Sequence, residues 1–155
     1  MNRDDLIDFV YDEAATIDQM HWDDWLALFH KDGRYWMPLE WQQEDPILQP
    51  SLMYEDRLLL TVRVERLAGE RTFSQKPKSR CHHVLQRPFV DEMNGDSFVT
   101  TTFMHYVETR LDEQQLLALT AKHDLALVDG SLRIANKRVD IVNCDAAFRN
   151  IQLLP

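Results

Sequence analysis

The sequence predicts an α+β domain in which N-terminal helices pack into the concave face of a long, curled, mostly antiparallel mixed β-sheet. Two observations predict it. In the first half, apolar residues recur at the three- and four-residue spacing of helices. In the second half the period changes to two, in long segments rich in Val, Thr, Phe, Tyr and Leu. Strands of such length twist and curl. A curled sheet wrapped on helices makes a cone with an internal pocket. The 155 residues suit one domain, 1–155, with a sizeable core. No repeat, low-complexity tract or linker divides it.

The first helix is marked by Leu6, Phe9, Val10, Ala14, Ile17 and His21 on one stripe. Asn2 is placed to cap it, with Asp5 near its positive end. Trp22, Trp25, Leu26 and Phe29 predict a second, short helix that stops before the turn pair Asp32-Gly33. Arg34-Tyr35-Trp36-Met37 predicts a short strand ended by Pro38. Residues 39–50 carry acids, glutamines and prolines, and predict a surface loop. Ser51 is placed to cap a third helix running to about Leu67, with Leu60, Val64 and Leu67 inward and Gly69 as the stop. Its β-branched Thr61, Val62 and Val64 weaken that reading. Four strands are then expected at 80–90, 97–109, 115–128 and 132–143. Asn94-Gly95-Asp96, Asp112-Glu113 and Asp129-Gly130-Ser131 separate them as turns. In the third strand Leu117, Leu119, Ala121, His123, Leu125 and Leu127 form the apolar face.

The formal charge of −9 comes from 26 acidic and 17 basic residues. Such a surface repels phosphate backbones and anionic lipid, so neither nucleic acid nor membrane is an expected partner. The N-terminus lacks the basic-then-apolar pattern of a signal peptide. Cys81 and Cys144 are far apart and outside any C-x-x-C motif. They are expected as reduced, buried thiols of a cytoplasmic protein.

Four segments resemble, in order, the small (β) subunit of Rieske-type aromatic-ring-hydroxylating dioxygenases. They are Trp25-Leu26-Ala27-Leu28-Phe29 with Asp32-Gly33-Arg34-Tyr35-Trp36-Met37-Pro38; Ser51-Leu52-Met53-Tyr54-Glu55-Asp56-Arg57 with Arg63-Val64-Glu65-Arg66-Leu67; Gln75-Lys76-Pro77-Lys78-Ser79-Arg80-Cys81-His82-His83-Val84; and Asp129-Gly130-Ser131 through Asp140. Each motif alone is weak, but the ordered set spans nearly the whole chain. The resemblance implies a nuclear-transport-factor-2-like (NTF2-like) cone. It also implies an α3β3 hexamer in which this chain is mainly structural. The Rieske [2Fe–2S] cluster and the mononuclear Fe(II) would then lie in the large (α) subunit, served by a ferredoxin/reductase system using NAD(P)H. The shorter members resembled most closely pair with α subunits acting on aromatic acids.

The residues agree that this chain is not the iron-bearing one. A Rieske centre needs C-x-H and C-x-x-H. Cys81-His82-His83 supplies the first half, but Asp145, Ala146 and Ala147 follow Cys144. His82, His83, His105 and His123 come from three strands without the spacing of a two-histidine–carboxylate site, so no metal site and no cofactor are expected here. His82 and His83 must point to opposite faces. The alternative is a free-standing isomerase or dehydratase of the same fold using a pocket histidine. His123 lies on the apolar face by parity. His105, between Phe103 and Val107, is the other candidate. Both also read as core histidines, and Asp124 has the wrong parity to pair with His123. A plain dimeric ligand-binding module is a third possibility. For interfaces, Trp41 stands out, a large aromatic in a polar loop with no core to fill, which reads equally as an interface anchor or as a ring folded over its own loop. Tyr54 and Arg80 are further candidates. Arg63, Arg66, Arg71 and Arg80 read as interface ion pairs or, as the default, a solvated face.

Overall fold

A computed structural model of the chain describes residues 1–69 and 77–155. Arg71, Gln75 and Lys76 lie outside the described residues. The elements run α1 (Arg3–Asp18), α2 (Trp22–Ala27), β1 (Phe29–Pro38), β2 (Ser51–Asp56), α3 (Arg57–Ala68), β3 (Arg80–Leu85), β4 (Phe89–Asn94), β5 (Ser97–Arg110), β6 (Glu113–Val128) and β7 (Ser131–Ile141). The seven strands make one mixed sheet in the order β2-β1-β7-β6-β5-β3, with β4 also pairing β5. Every pairing is antiparallel except β1 with β7, which is parallel.

Helix α1 begins with a reciprocal capping box. Asn2 accepts from the Asp5 N–H at 2.9 Å, and Asp5 accepts from the Asn2 N–H at 2.7 Å. Its stripe of Leu6, Val10, Ala14 and Ile17 is buried as expected. His21 is not part of it. The helix ends at Asp18, and exposed His21 precedes α2 without a side-chain capping bond.

Three boundaries differ from the sequence reading, each for a physical reason. Phe29 opens β1 rather than closing α2, and Asp32-Gly33 is an irregularity inside that strand. Between Phe29 and Arg34 the pairing with β7 slips, from Ile134 to Asn136. A Cβ on Gly33 would stand 2.7 Å from the Ile134 carbonyl oxygen and 2.9 Å from that of His30. The glycine serves a close backbone approach, not a chain reversal. Secondly, Ser51–Asp56 is a strand. Met53 faces the core while Leu52 and Tyr54 face out, a period of two. The third helix begins only at Arg57, capped by Asp56, which accepts the Leu59 N–H at 3.0 Å. Leu60, Val64 and Leu67 are buried as expected. Thirdly, the 80–90 segment is two strands. Pro88 lacks a ladder donor, and the chain breaks at Gln86-Arg87-Pro88 before β4.

The Asn94-Gly95-Asp96 and Asp129-Gly130-Ser131 turns form as expected, while the β5–β6 turn sits at Leu111-Asp112, one residue before the expected Asp112-Glu113, with Glu113 paired to Arg110. Asp129 and Gly130 take positive φ values of 50° and 76° in the β6–β7 turn. Trp25, Phe29, Tyr35, Leu119, Leu125, Ile134 and Ile141 lie in the core between helices and sheet. No described helix is long and apolar enough to cross a membrane.

Candidate functional site

The centre of the molecule holds a buried charge cluster. Glu13, on α1, is 2% exposed, and Lys137, on β7, is 1% exposed. Lys137 Nζ donates to Glu13 Oε1 at 2.8 Å, and Trp25 Nε1 donates to the same oxygen at 2.6 Å. The Lys137 ammonium also lies 5.4 Å above the Tyr35 ring. Burial pushes the Glu13 carboxyl up, but Lys137 and His123 outweigh it and hold Glu13 well below the usual carboxylate range.

His123 faces this cluster, as strand parity predicted, and is 1% exposed. Its Nε2 is 3.6 Å from Glu13 Oε2, too far for a hydrogen bond. Burial holds its pKa below the ordinary histidine value, only partly offset by Glu13. His123 therefore has an inward carboxylate neighbour that the sequence reading did not find. Glu13 was legible in principle, because it lies seven residues after Leu6 on the buried stripe. Lys137 was hidden by a bulge. Leu125 pairs with Ile134 but Asp124 with Asn136, so Ala135 is an extra residue in β7. The bulge moves the inward set from Leu132 and Ile134 to Lys137, Val139 and Ile141. His105 does not join the cluster. It points outward and is exposed, correcting its placement as a pocket residue.

The interior is closed at its far side by the end of the chain. Leu153, Leu154 and Pro155 are buried. Glu108 accepts the N–H groups of Gln152 and Leu153 at 2.9 and 3.0 Å, and the Tyr106 hydroxyl at 2.7 Å. The Tyr35 hydroxyl donates to the Pro155 carbonyl oxygen.

A second polar group joins α1 to β3. Asp18 accepts the His83 backbone N–H at 2.9 Å and lies 2.6 Å from His83 Nδ1. The Cys81 thiol points at the same carboxylate, at 3.6 Å. Burial, with Asp18 beside it, pushes that thiol up to about 12. Cys81 and His83 face in while His82 is exposed, as alternation requires. Cys81 and Cys144 are both free and buried, as expected. The cluster supplies one thiol where a Rieske centre needs two, so this donor set does not fit that cluster.

The outer edge is of another kind. The 39–50 loop is pinned by Gln43, which is 3% exposed. Its Oε1 accepts from Leu39 N–H at 3.0 Å, and its Nε2 donates to the Asp45 carbonyl at 3.1 Å. Trp41 stands 56% exposed on that loop and Tyr54 38% exposed on β2. Ile47, Leu48, Leu52, Leu58, Leu59 and Val62 are also exposed on the loop, β2 and α3. Arg34 lies 5.8 Å over the Tyr54 ring. Beside this edge opens a cleft of about 900 Å³, lined by Met37, Leu52, Met53, Arg63, Phe148 and Ile151 among others. Arg63 is not free within it, because its guanidinium is held in a fork by Glu55. Arg66 and Arg80 are exposed.

Known proteins share both this sequence and this shape. The small oxygenase component of the p-cumate 2,3-dioxygenase system of Pseudomonas putida is 30% identical over 141 residues, covering 89% of this chain and 78% of that protein. The 2-halobenzoate 1,2-dioxygenase small subunit of Burkholderia cepacia is 28% identical, covering 90% and 87%. The crystal structure of the benzoate 1,2-dioxygenase beta subunit of Burkholderia mallei superimposes with a TM-score of 0.81 at 23% identity, over 99% of this chain and 98% of that one. An NTF2-like protein with a cystatin-like fold from Novosphingobium aromaticivorans aligns with a TM-score of 0.65. The family described as the ring hydroxylating beta subunit matches residues 12–146, and the chain belongs to it: it is the small subunit of an aromatic-ring-hydroxylating dioxygenase.

Proposed function

We propose that this chain is a non-catalytic, structural subunit that self-associates as a trimer and joins three large subunits in an α3β3 hexamer. The observation that carries this reading is where its large exposed apolar side chains lie. Inside, Glu13 accepts from both Lys137 and Trp25, and residues 153–155 are buried. Outside, Trp41, Ile47, Leu48, Leu52, Tyr54, Leu58 and Leu59 are exposed on the 39–50 loop, β2 and α3. A subunit without chemistry acts through buried area, and permanent complexes bury more than ~2,000 Å² with aromatic and arginine anchors. Trp41 and Tyr54 are the anchors on this edge, and Arg80, exposed on β3 at the opposite end of the sheet, is a separate anchor.

The partner large subunit would carry the Rieske [2Fe–2S] cluster and the mononuclear Fe(II). Electrons would reach it from NAD(P)H through a ferredoxin/reductase system in the cytoplasm. The relatives named for p-cumate, 2-halobenzoate and benzoate support an aromatic carboxylic acid as substrate.

The test is co-expression with the large-subunit gene, followed by mass measurement in light scattering. The expected mass is that of a hexamer, with Trp41→Ala lowering the hexamer fraction while circular dichroism of the lone chain stays unchanged. A chain that stays monomeric and never co-purifies with a large subunit would overturn the reading. An intact hexamer with Trp41→Ala would remove only the anchor.

A further inference from the structure

We propose that Asp18, Cys81 and His83 form a binding site for a tetrahedral divalent metal ion of the zinc class, with the fourth position open and His82 beside Asp18 as a supporting group. This goes against the sequence expectation of no metal. It concerns this chain alone, apart from the irons of the partner subunit. One ligand atom from each of Asp18, Cys81 and His83 lies within 4.8 Å of the other two. Carboxylate oxygen, thiolate sulfur and imidazole nitrogen are the donors zinc accepts in tetrahedral sites. The sequence places them economically. Cys81 and His83 are two apart on one strand, so both face inward. Asp18 ends the helix packed against that strand.

Two further observations favour a cation. The ion-pair partners of Asp18 among the described residues are the histidines 82 and 83, with no lysine or arginine. A second carboxylate, Glu108, also acts on Cys81. Access is open from the surface. His82 is 84% exposed, and its Nδ1 already lies 3.8 Å from Asp18 Oδ2. A coordinated thiol ionises in the field of the cation itself.

A purely structural reading of the cluster is that Asp18 ties α1 to β3 through hydrogen bonds. The two readings differ in what the cluster does with added metal. The full chain, treated with chelator and dialysed, is titrated with Zn²⁺ and separately with Co²⁺. The expected result is one Zn²⁺ per chain retained through gel filtration, and a sulfur-to-cobalt charge-transfer band with Co²⁺. Cys81→Ser should abolish the band, and Cys144→Ser should leave it. Asp18→Asn, which keeps an acceptor for the His83 N–H, should lose retention of the metal. His82→Ala changes an exposed side chain and cannot compromise folding. It should weaken binding about tenfold, the scale seen when one supporting group of a metal site is lost. Absence of the charge-transfer band in the wild-type chain would overturn the proposal. So would zinc retention unchanged in both Asp18→Asn and His82→Ala. Neither outcome depends on whether the hexamer forms.

Discussion

Lys137 and Glu13 show how much one buried residue can carry. Each is covered on all sides, and each is the other's only full charge partner at hydrogen-bond distance among the described residues. Removing one leaves the other ionised in the core, which typically costs about 3–5 kcal/mol. Lys137→Met should therefore lower unfolding stability by that amount in urea titrations. Replacing both, as Glu13→Gln with Lys137→Met, should recover most of it, because the desolvation cost goes with the charges while the amide oxygen still accepts from Trp25 Nε1. His123 adds a pH dependence. Its folded pKa lies below the ordinary 6.5, so the unfolded chain binds the proton more readily. Its contribution is complete above that value and is lost as pH falls through the lowered folded pKa. Glu13, also lowered, acts in the same direction at more acid pH. The thermal midpoint should drop on acidification from neutral toward pH ~5, given an unfolded histidine near 6.5. His123→Gln should flatten the upper part of that curve. A slope unchanged in the variant would show that another group titrates there. Strand parity made His123 legible from sequence. It could not supply His123's neighbour, because Glu13 comes from a helix whose angular setting on the sheet only packing decides.

The elements were legible where their pattern was long. The strands β5 and β6 and helix α1 follow from periodicity alone, since 14 or more residues repeat it in each. The short ones were not. Six residues, Ser51–Asp56, contain barely one and a half turns of a helix or three repeats of a strand, and the apolar Leu52 and Met53 suit either. The deciding influence is pairing with β1, where Met37 meets Met53 and Trp36 meets Tyr54. Gly33 was misread for a related reason. A glycine after aspartate signals a turn locally, but here it admits the backbone of β7, about one hundred residues away. Gly33→Ala should therefore cost about 1–3 kcal/mol through overpacking, since the obstructing atoms are backbone carbonyls that cannot rotate aside. Denaturant unfolding checks it. A stability equal to wild type would mean that β1 shifts freely against β7.

At the scale of the whole molecule, a net charge of −9 coexists with an apolar edge. Like charge keeps copies apart, while exposed aliphatic side chains draw them together. Ile47 and Leu48 are 80% and 84% exposed, so neither supports the fold. The double variant Ile47→Asp/Leu48→Asp should leave circular dichroism intact, reduce light scattering of the lone chain at high salt, and weaken association with the large subunit. Unchanged scattering would place the adhesive surface elsewhere, on the outer sheet face where Phe89 and Phe103 pack edge to face. The parallel pairing of β1 with β7 also sets an order of events in time. β5, β6 and β7 join through tight turns and can zip together from neighbours. β1 emerges from the ribosome roughly a hundred residues before the strand it must lie beside, and contacts so remote are slow to close. Until β7 is made, β1 and β2 have each other but no sheet to join. The edge proposed to grip other subunits is thus the last part of the monomer to acquire its shape, so the nascent chain does not offer a finished docking surface before its sheet is complete.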